Sequence, residues 1–413
     1  MSRAFRLSAG WVAAIGAAIL LNVVLVGPRG GAEPGGTANG PLPLGATPVP
    51  VARGGGTSFV DAFDRIPPWI VRLPEGETRA GTLLRELRGV EPGQAGAFQA
   101  AVERARQEFR LDALSIGVML DDGRAWYGAS GLARDGQTPL DGDSPFAVGS
   151  VTKTFVAAIA LQLVEERRLE LDTPVVEILP EVAISPAITV RQLLTHTSGL
   201  ADLLAPMRTE LAADATRVWS PLEVLARVGK PWFEPGTSFA YSNTNYVLLG
   251  LIIERVTSRP FAEELSHRLL GPLRLASTGV LLSEGAPPLM RPAWASAFGT
   301  SGSMYSTAHE LLVWADALYR GHVLRPDTRG GMLAFGDRAY GMGAQEIEVG
   351  TLAGFGHSGL LQGFTTLMVH LPGPGLTLVV MGTDAGFDPA KLLVAADEGK
   401  PSILELALDL RAH

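Results

Sequence analysis

Gly149-Ser150-Val151-Thr152-Lys153-Thr154-Phe155-Val156-Ala157-Ala158-Ile159-Ala160-Leu161 sets a hydroxyl and an amine three residues apart at the head of an apolar run. Residues at i and i+3 share one helix face, so the Lys153 amine can reach the Ser150 hydroxyl. Serine is a weak nucleophile until a nearby base takes its proton, and a lysine in apolar surroundings loses enough basicity to serve near neutral pH. The bland alternative is a helix N-cap serine followed by a solvated lysine. Two features weigh against it. The chain has only four lysines, Lys153, Lys230, Lys391 and Lys400, and none of the other three follows a serine at this spacing. The run after Lys153 is apolar on every face, which marks a helix buried all round, where an unpaired ammonium is costly. Gly149 lets the chain turn tightly into that helix.

The 413 residues, 46% of them hydrophobic, can bury a large core. A net charge of -8 and the lack of any basic cluster argue against a nucleic-acid partner. With no cysteine there is neither a disulfide framework nor a thiolate metal site. Within residues 1–26, Arg3 and Arg6 precede a mainly apolar stretch from about Leu7 to Val26, long enough to span a bilayer. It reads as a signal anchor or as a signal peptide cut after the weak site Gly30-Gly31-Ala32. Either way the arginines ahead of it place the rest of the chain outside the cytoplasm, tethered to the inner membrane if the segment is uncleaved. Residues 27–57, rich in Gly and Pro, have the composition of a flexible linker, and residues 58–95 are an extension of unknown role.

The compact domain is expected over residues 96–413. Phe98, Val102, Ala105 and Phe109 recur at helical spacing. Leu114 to Leu120 and Arg124 to Leu132 flank Asp121-Asp122-Gly123, and Thr365 to Leu371 and Leu376 to Met381 flank Pro372-Gly373-Pro374-Gly375, giving two hairpins. Ile403 to Leu410 reads as a closing helix. Strands at both ends with helical patterning between them predict an α+β fold: one antiparallel sheet flanked by helices, with a mainly helical lobe.

Two further segments complete a candidate site. In Tyr241-Ser242-Asn243 a phenol and a carboxamide two residues apart share one side of an extended or loop backbone. In Gly356-His357-Ser358-Gly359, ahead of the last hairpin, an edge strand would turn His357 and Gly359 to one side while its amides line a groove able to pair with a peptide-like substrate. Taken singly, a buried tyrosine beside a turn asparagine, and a surface histidine, explain these as well.

Together with Ser150 and Lys153, the three motifs in this order resemble the penicillin-binding protein and serine β-lactamase superfamily, in the branch holding class C β-lactamases, DD-carboxypeptidases and related esterases. The connecting stretches Leu193-Leu194-Thr195-His196-Thr197-Ser198-Gly199-Leu200 and Gly302-Ser303-Met304-Tyr305-Ser306-Thr307-Ala308 are similar too, and read as structural. The resemblance covers about Phe98 to Leu410. It implies Ser150 as acylated nucleophile, Lys153 as its proton acceptor and Tyr241 as a second proton-transfer group. It also implies Asn243 as a ligand of the substrate amide, His357, Ser358 and Gly359 as substrate-binding, and the backbone amides of Ser150 and Leu360 as the oxyanion hole. His357 replaces the lysine common in the β-lactamases, which weakens that activity and the expectation of carboxylate binding.

The expectation is thus an extracytoplasmic serine hydrolase forming an acyl-enzyme with D-amino-acid peptides or small esters. A β-lactamase and a non-turnover penicillin-binding or sensor protein are the alternatives. A small-molecule or peptide substrate, a monomer and no cofactor are expected. No metal is expected either, since His309-Glu310-Leu311-Leu312-Val313 lacks the second histidine of a zinc protease motif. No G-x-S-x-G elbow is present.

Overall fold

The computed structural model describes residues 87–133, 136–321, 323–384, 386–397 and 399–412. The membrane segment and linker expected from the sequence, and the extension up to residue 86, lie outside them. No helix among the described residues is long and apolar enough to cross a membrane.

In chain order, β1 (Arg88–Gly89), α1 (Pro92–Glu108), β2 (Ala113–Leu120), β3 (Arg124–Gly131) and β4 (Phe146–Ala147) lead to a single 3-10 turn, Gly149–Val151, and then to α2 (Thr152–Glu165). The helical lobe includes α3 (Val190–Leu194) and α4 (Asn243–Thr257). It is followed by β5 (Gly279–Val280), β6 (Met304–Ser306) and α5 (Ala308–Tyr319). The chain closes with β7 (Gln345–Val349), β8 (Leu352–Leu361), β9 (Phe364–Leu371), β10 (Leu376–Gly382) and α6 (Ile403–Ala412).

Among the described residues seven strands form one sheet in the order β1-β3-β2-β10-β9-β8-β7. Every pairing is antiparallel except that of β1, which runs parallel to β3. The sheet is therefore mixed at one edge and not purely antiparallel, and it begins at Arg88, within the segment read as an extension. The strand β10 lies between β2 and β9, with Val379 opposite Gly117 and Met368. The N-terminal hairpin is thus joined to the C-terminal one through the last strand of the chain.

Strands β2, β9 and β10 are buried along their whole length, which requires cover on both faces. On one face Leu114, Ile116, Val118, Leu376, Leu378 and Val380 share a core with Phe98 and Val102 of α1 and Ile403 and Leu410 of α6. On the other, α5 packs on β2, β9 and β10. It comes close because β2 has a glycine there: a Cβ on Gly117 would meet the Leu312 side chain at 3.0 Å.

The apolar run after Lys153 forms α2, buried from Thr152 through Leu161 and packed on α4 and on residues 299–301. A second, smaller sheet, β4-β6-β5, pairs Phe146 with Ser306 and Ala147 with Tyr305. Val148 N–H then donates to the Met304 carbonyl at 3.0 Å. This ladder fixes the chain entering Ser150 against the chain leaving Ser301.

Candidate active site

Ser150 lies in the one-turn 3-10 helix ahead of α2, where helix amides lack intrahelical partners. It is partly exposed, while Lys153, one turn on, is fully buried. Lys153 Nζ lies 3.0 Å from Ser150 Oγ, 2.8 Å from Asn243 Oδ1 and 2.6 Å from the Ser301 carbonyl oxygen. It also sits 4.9 Å from the centre of the Tyr241 ring and 5.4 Å from that of Tyr246. Burial pulls its pKa down to about 7, against the upward pull of the Asp202 carboxylate. A neutral amine has two N–H groups and one lone pair. With Asn243 Oδ1 and the Ser301 carbonyl accepting both N–H groups, the lone pair is left for the Ser150 hydroxyl.

Tyr241 comes from the loop before α4. Its hydroxyl is buried and completes no well-formed hydrogen bond, although it lies near enough to Ser150 to be influenced by it. Burial dominates and holds the phenol pKa well above the usual range. Asn243 is the first residue of α4, with Ser242 as N-cap, so the motif straddles a helix start and not an extended loop. Asn243 spends its carboxamide within the protein: Oδ1 accepts from Lys153, and Nδ2 donates to Asp202 Oδ2 at 2.9 Å.

The third motif lies on β8, which is the second strand of the sheet and not its edge. The outer strand β7 pairs only with Leu352 to Gly356, so the part of β8 from His357 onward is open on that side. Ser358 N–H donates to Gln345 Oε1 at 2.9 Å across this open side. Amides two residues apart in a strand point the same way, so the Leu360 N–H shares the opening. Close approach to Ser150 depends on two glycines. A Cβ on Gly359 would fall 2.0 Å from the Val148 carbonyl oxygen and 3.2 Å from Ser150 N, and one on Gly149, whose φ is +52°, 2.8 Å from Leu360 N. The amides of Ser150 and Leu360 are thereby brought to one place, as an oxyanion hole requires.

His357 departs from the role the resemblance implied. It is fully buried, Tyr340 lies 3.0 Å from its Nε2, and its Nδ1 lies 2.6 Å from the Ser358 carbonyl oxygen. A carbonyl can only accept, so Nδ1 carries the proton and Tyr340 O–H donates to Nε2. Burial, then the Lys153 ammonium, push its pKa down to about 3. The ring is neutral and both nitrogens are occupied, leaving nothing for a substrate carboxylate. The Ser358 hydroxyl likewise donates to Gln345 Oε1 at 2.9 Å.

The connecting stretches do more than connect. His196, with φ +55°, accepts at Nδ1 from Ser242 N–H at 3.2 Å and lies 3.0 Å from Asn245 Nδ2, so it supports the start of α4. Its ring lies 4.3 Å from that of Tyr241. Ser301, just before the Gly302-Ser303 segment, supplies a carbonyl to Lys153. Sequence reasoning missed Ser301, Asp202, Tyr340 and Gln345. Each acts across the fold through a loop or short element with no periodic signature.

Fold and site together define the class, that of the serine hydrolases. The chain belongs to the Beta-lactamase family, whose model matches residues 98–398. It is similar to penicillin-binding protein 4 of Amycolatopsis lactamdurans, 26% identical over 69% of this chain and 84% of that protein. It also resembles a D-aminopeptidase of Cereibacter sphaeroides, 28% identical over 69% of this chain and 59% of the relative. Among solved structures, a D-stereospecific amidohydrolase from a Streptomyces species superposes with a TM-score of 0.62 at 28% identity, over 72% of this chain and 97% of the other.

Proposed function

We propose that the protein hydrolyses amides of D-amino acids, and small esters, through an acyl-enzyme on Ser150. The observation that carries this reading is the buried Lys153 amine 3.0 Å from the Ser150 hydroxyl, with a pKa near 7 that leaves much of it neutral at working pH. Lys153 takes the hydroxyl proton as Oγ attacks the carbonyl carbon. The amides of Ser150 and Leu360 receive the oxyanion. Lys153 and the nearby Tyr241 phenol return the proton to the leaving amine or alcohol, and a water activated by the same pair releases the acid.

The neutral, internally satisfied pair His357 and Ser358 supports substrates whose leaving group carries no carboxylate. That favours amides and esters over a β-lactam, whose carboxylate would find no cation here. The D-configuration is supported by the relatives named D-aminopeptidase and D-stereospecific amidohydrolase. An extracytoplasmic, membrane-tethered location is supported by the two arginines ahead of the apolar N-terminal stretch.

The test is turnover by the full chain of a p-nitrophenyl ester, of D- and L-alanine p-nitroanilides and of a chromogenic cephalosporin, with Ser150→Ala in parallel. The ester and the D-anilide are expected to turn over and Ser150→Ala to abolish both, with an acyl adduct on Ser150 visible by mass spectrometry. Turnover surviving in Ser150→Ala would sink the assignment, and a preference for the cephalosporin would make the enzyme a β-lactamase. A single burst without turnover would mark a sensor.

A further inference from the structure

Asp202 lies in the loop after the His196-Thr197-Ser198-Gly199 turn and reaches across to the first residue of α4. Its Oδ2 accepts from the Asn243 backbone N–H at 2.6 Å and from Asn243 Nδ2 at 2.9 Å. Its Oδ1 accepts from Leu204 N–H at 2.9 Å, which holds the carboxylate in place. A carboxylate only accepts, whereas a carboxamide has one accepting end and one donating end. Asp202 therefore dictates which end of Asn243 faces Lys153: the nitrogen is held toward the aspartate and the oxygen toward Nζ.

That choice matters for proton transfer. With Asn243 Oδ1 and the Ser301 carbonyl accepting its two N–H groups, a neutral Lys153 has its lone pair free for the Ser150 hydroxyl. If the carboxamide turned over, its NH2 would face Nζ and compete with Ser150 for that lone pair. We propose that Asp202 is a positioning residue, which locks the Asn243 carboxamide and so aims the Lys153 lone pair at Ser150. The proposal rests on the reading of Ser150 and Lys153 as nucleophile and base.

Charge gives a second readout. The groups facing Lys153 are the Tyr241 and Tyr246 rings, the neutral His196 and His357, Asn243 and Ser301, and Asp202 is the anion whose field reaches it. A nearby negative charge favours the ammonium. Removing it makes the lysine less basic and moves the acidic limb of activity to lower pH.

The experiment compares Asp202→Asn and Asp202→Ala in the full chain, reading kcat and KM for the p-nitrophenyl ester against pH, with melting temperature and circular dichroism as folding controls. An asparagine oxygen can still accept from Asn243, although the Leu204 bond weakens. In Asp202→Asn the acidic limb should move down by about one unit while the plateau kcat stays within about tenfold of the parent. In Asp202→Ala the plateau kcat should fall about a hundredfold with KM little changed. An unmoved limb in folded Asp202→Asn, a limb moving upward, or an undiminished kcat in Asp202→Ala would overturn the proposal. If Asp202→Ala fails to fold, the limb of Asp202→Asn decides alone. Activity surviving in Ser150→Ala would instead overturn the reading beneath it, so the two failures are distinct.

Discussion

At the residue scale, Lys153 shows what a buried ionisable group costs in stability. Its folded-state pKa, near 7, lies far below the ordinary lysine value because burial penalises the ammonium. The unfolded chain therefore binds the extra proton between about pH 7 and pH 10.4, and stability rises with pH through that window. Below pH 7 both states are protonated and the full penalty is carried. Lys153→Met should thus melt higher than the parent at pH 7 by at least about 2–4 °C, with the gain shrinking as pH approaches 10. Calorimetry on both proteins across that range checks it, and a gain growing with pH would contradict it. The same variant should be inactive.

At this scale the sequence disclosed the approach of Lys153 to Ser150, because a single helical turn encodes their geometry. It did not disclose Asp202, since an aspartate in a loop looks the same whether it is solvated or holds an asparagine forty-one residues away. The internal partners of His357 were hidden for a related reason. Its neutrality is set by burial and by the charge of Lys153, and its partner Tyr340 comes from a loop whose approach only the folded chain reveals.

At the scale of elements, the site is made where β8 leans on the 3-10 turn carrying Ser150. That contact has no room for a methyl group: a Cβ on Gly359 would overlap the Val148 carbonyl oxygen at 2.0 Å. Gly359→Ala should push β8 away and take the Leu360 amide out of reach of the oxyanion. Loss of one such donor costs about a hundred- to a thousandfold in kcat, and the strain about 1–3 kcal/mol of stability. Ester kinetics and a denaturation curve together test this; full kcat in a folded Gly359→Ala would remove Leu360 from the oxyanion hole. The two hairpins were legible because Asp121-Asp122-Gly123 and the Pro372-Gly373-Pro374-Gly375 turn announce themselves locally. The ladder between β4 and β6 was not. Strands of two and three residues carry no periodicity, yet this one sets the Ser301 carbonyl against Lys153.

At the scale of the whole molecule, the α+β class and the union of both ends of the domain in one sheet followed from strands at its ends and helices between. The parallel edge did not, because β1 is two residues long and lies in a stretch without pattern. The union has a mechanical counterpart in α6, which covers the sheet beside α1 with Ile403, Leu404, Ala407 and Leu410. Ending the chain after Ser402 would uncover that core. It should cost about 4 kcal/mol or more, at about 1.5–3 kcal/mol for each large apolar side chain exposed. The midpoint of urea denaturation measures it; an unchanged midpoint would show that α6 is dispensable.

The tight seat of β8 against the Ser150 turn also has a consequence in time. Ser150 and Leu360 are separated by about half the chain, and the strand that ties the two hairpins together, β10, comes after both. While the polypeptide is being made, Ser150 and Lys153 exist for many seconds in a nascent chain that does not yet contain the Leu360 amide. On the proposed mechanism, a nascent chain or a fragment that ends before β8 should therefore be inactive.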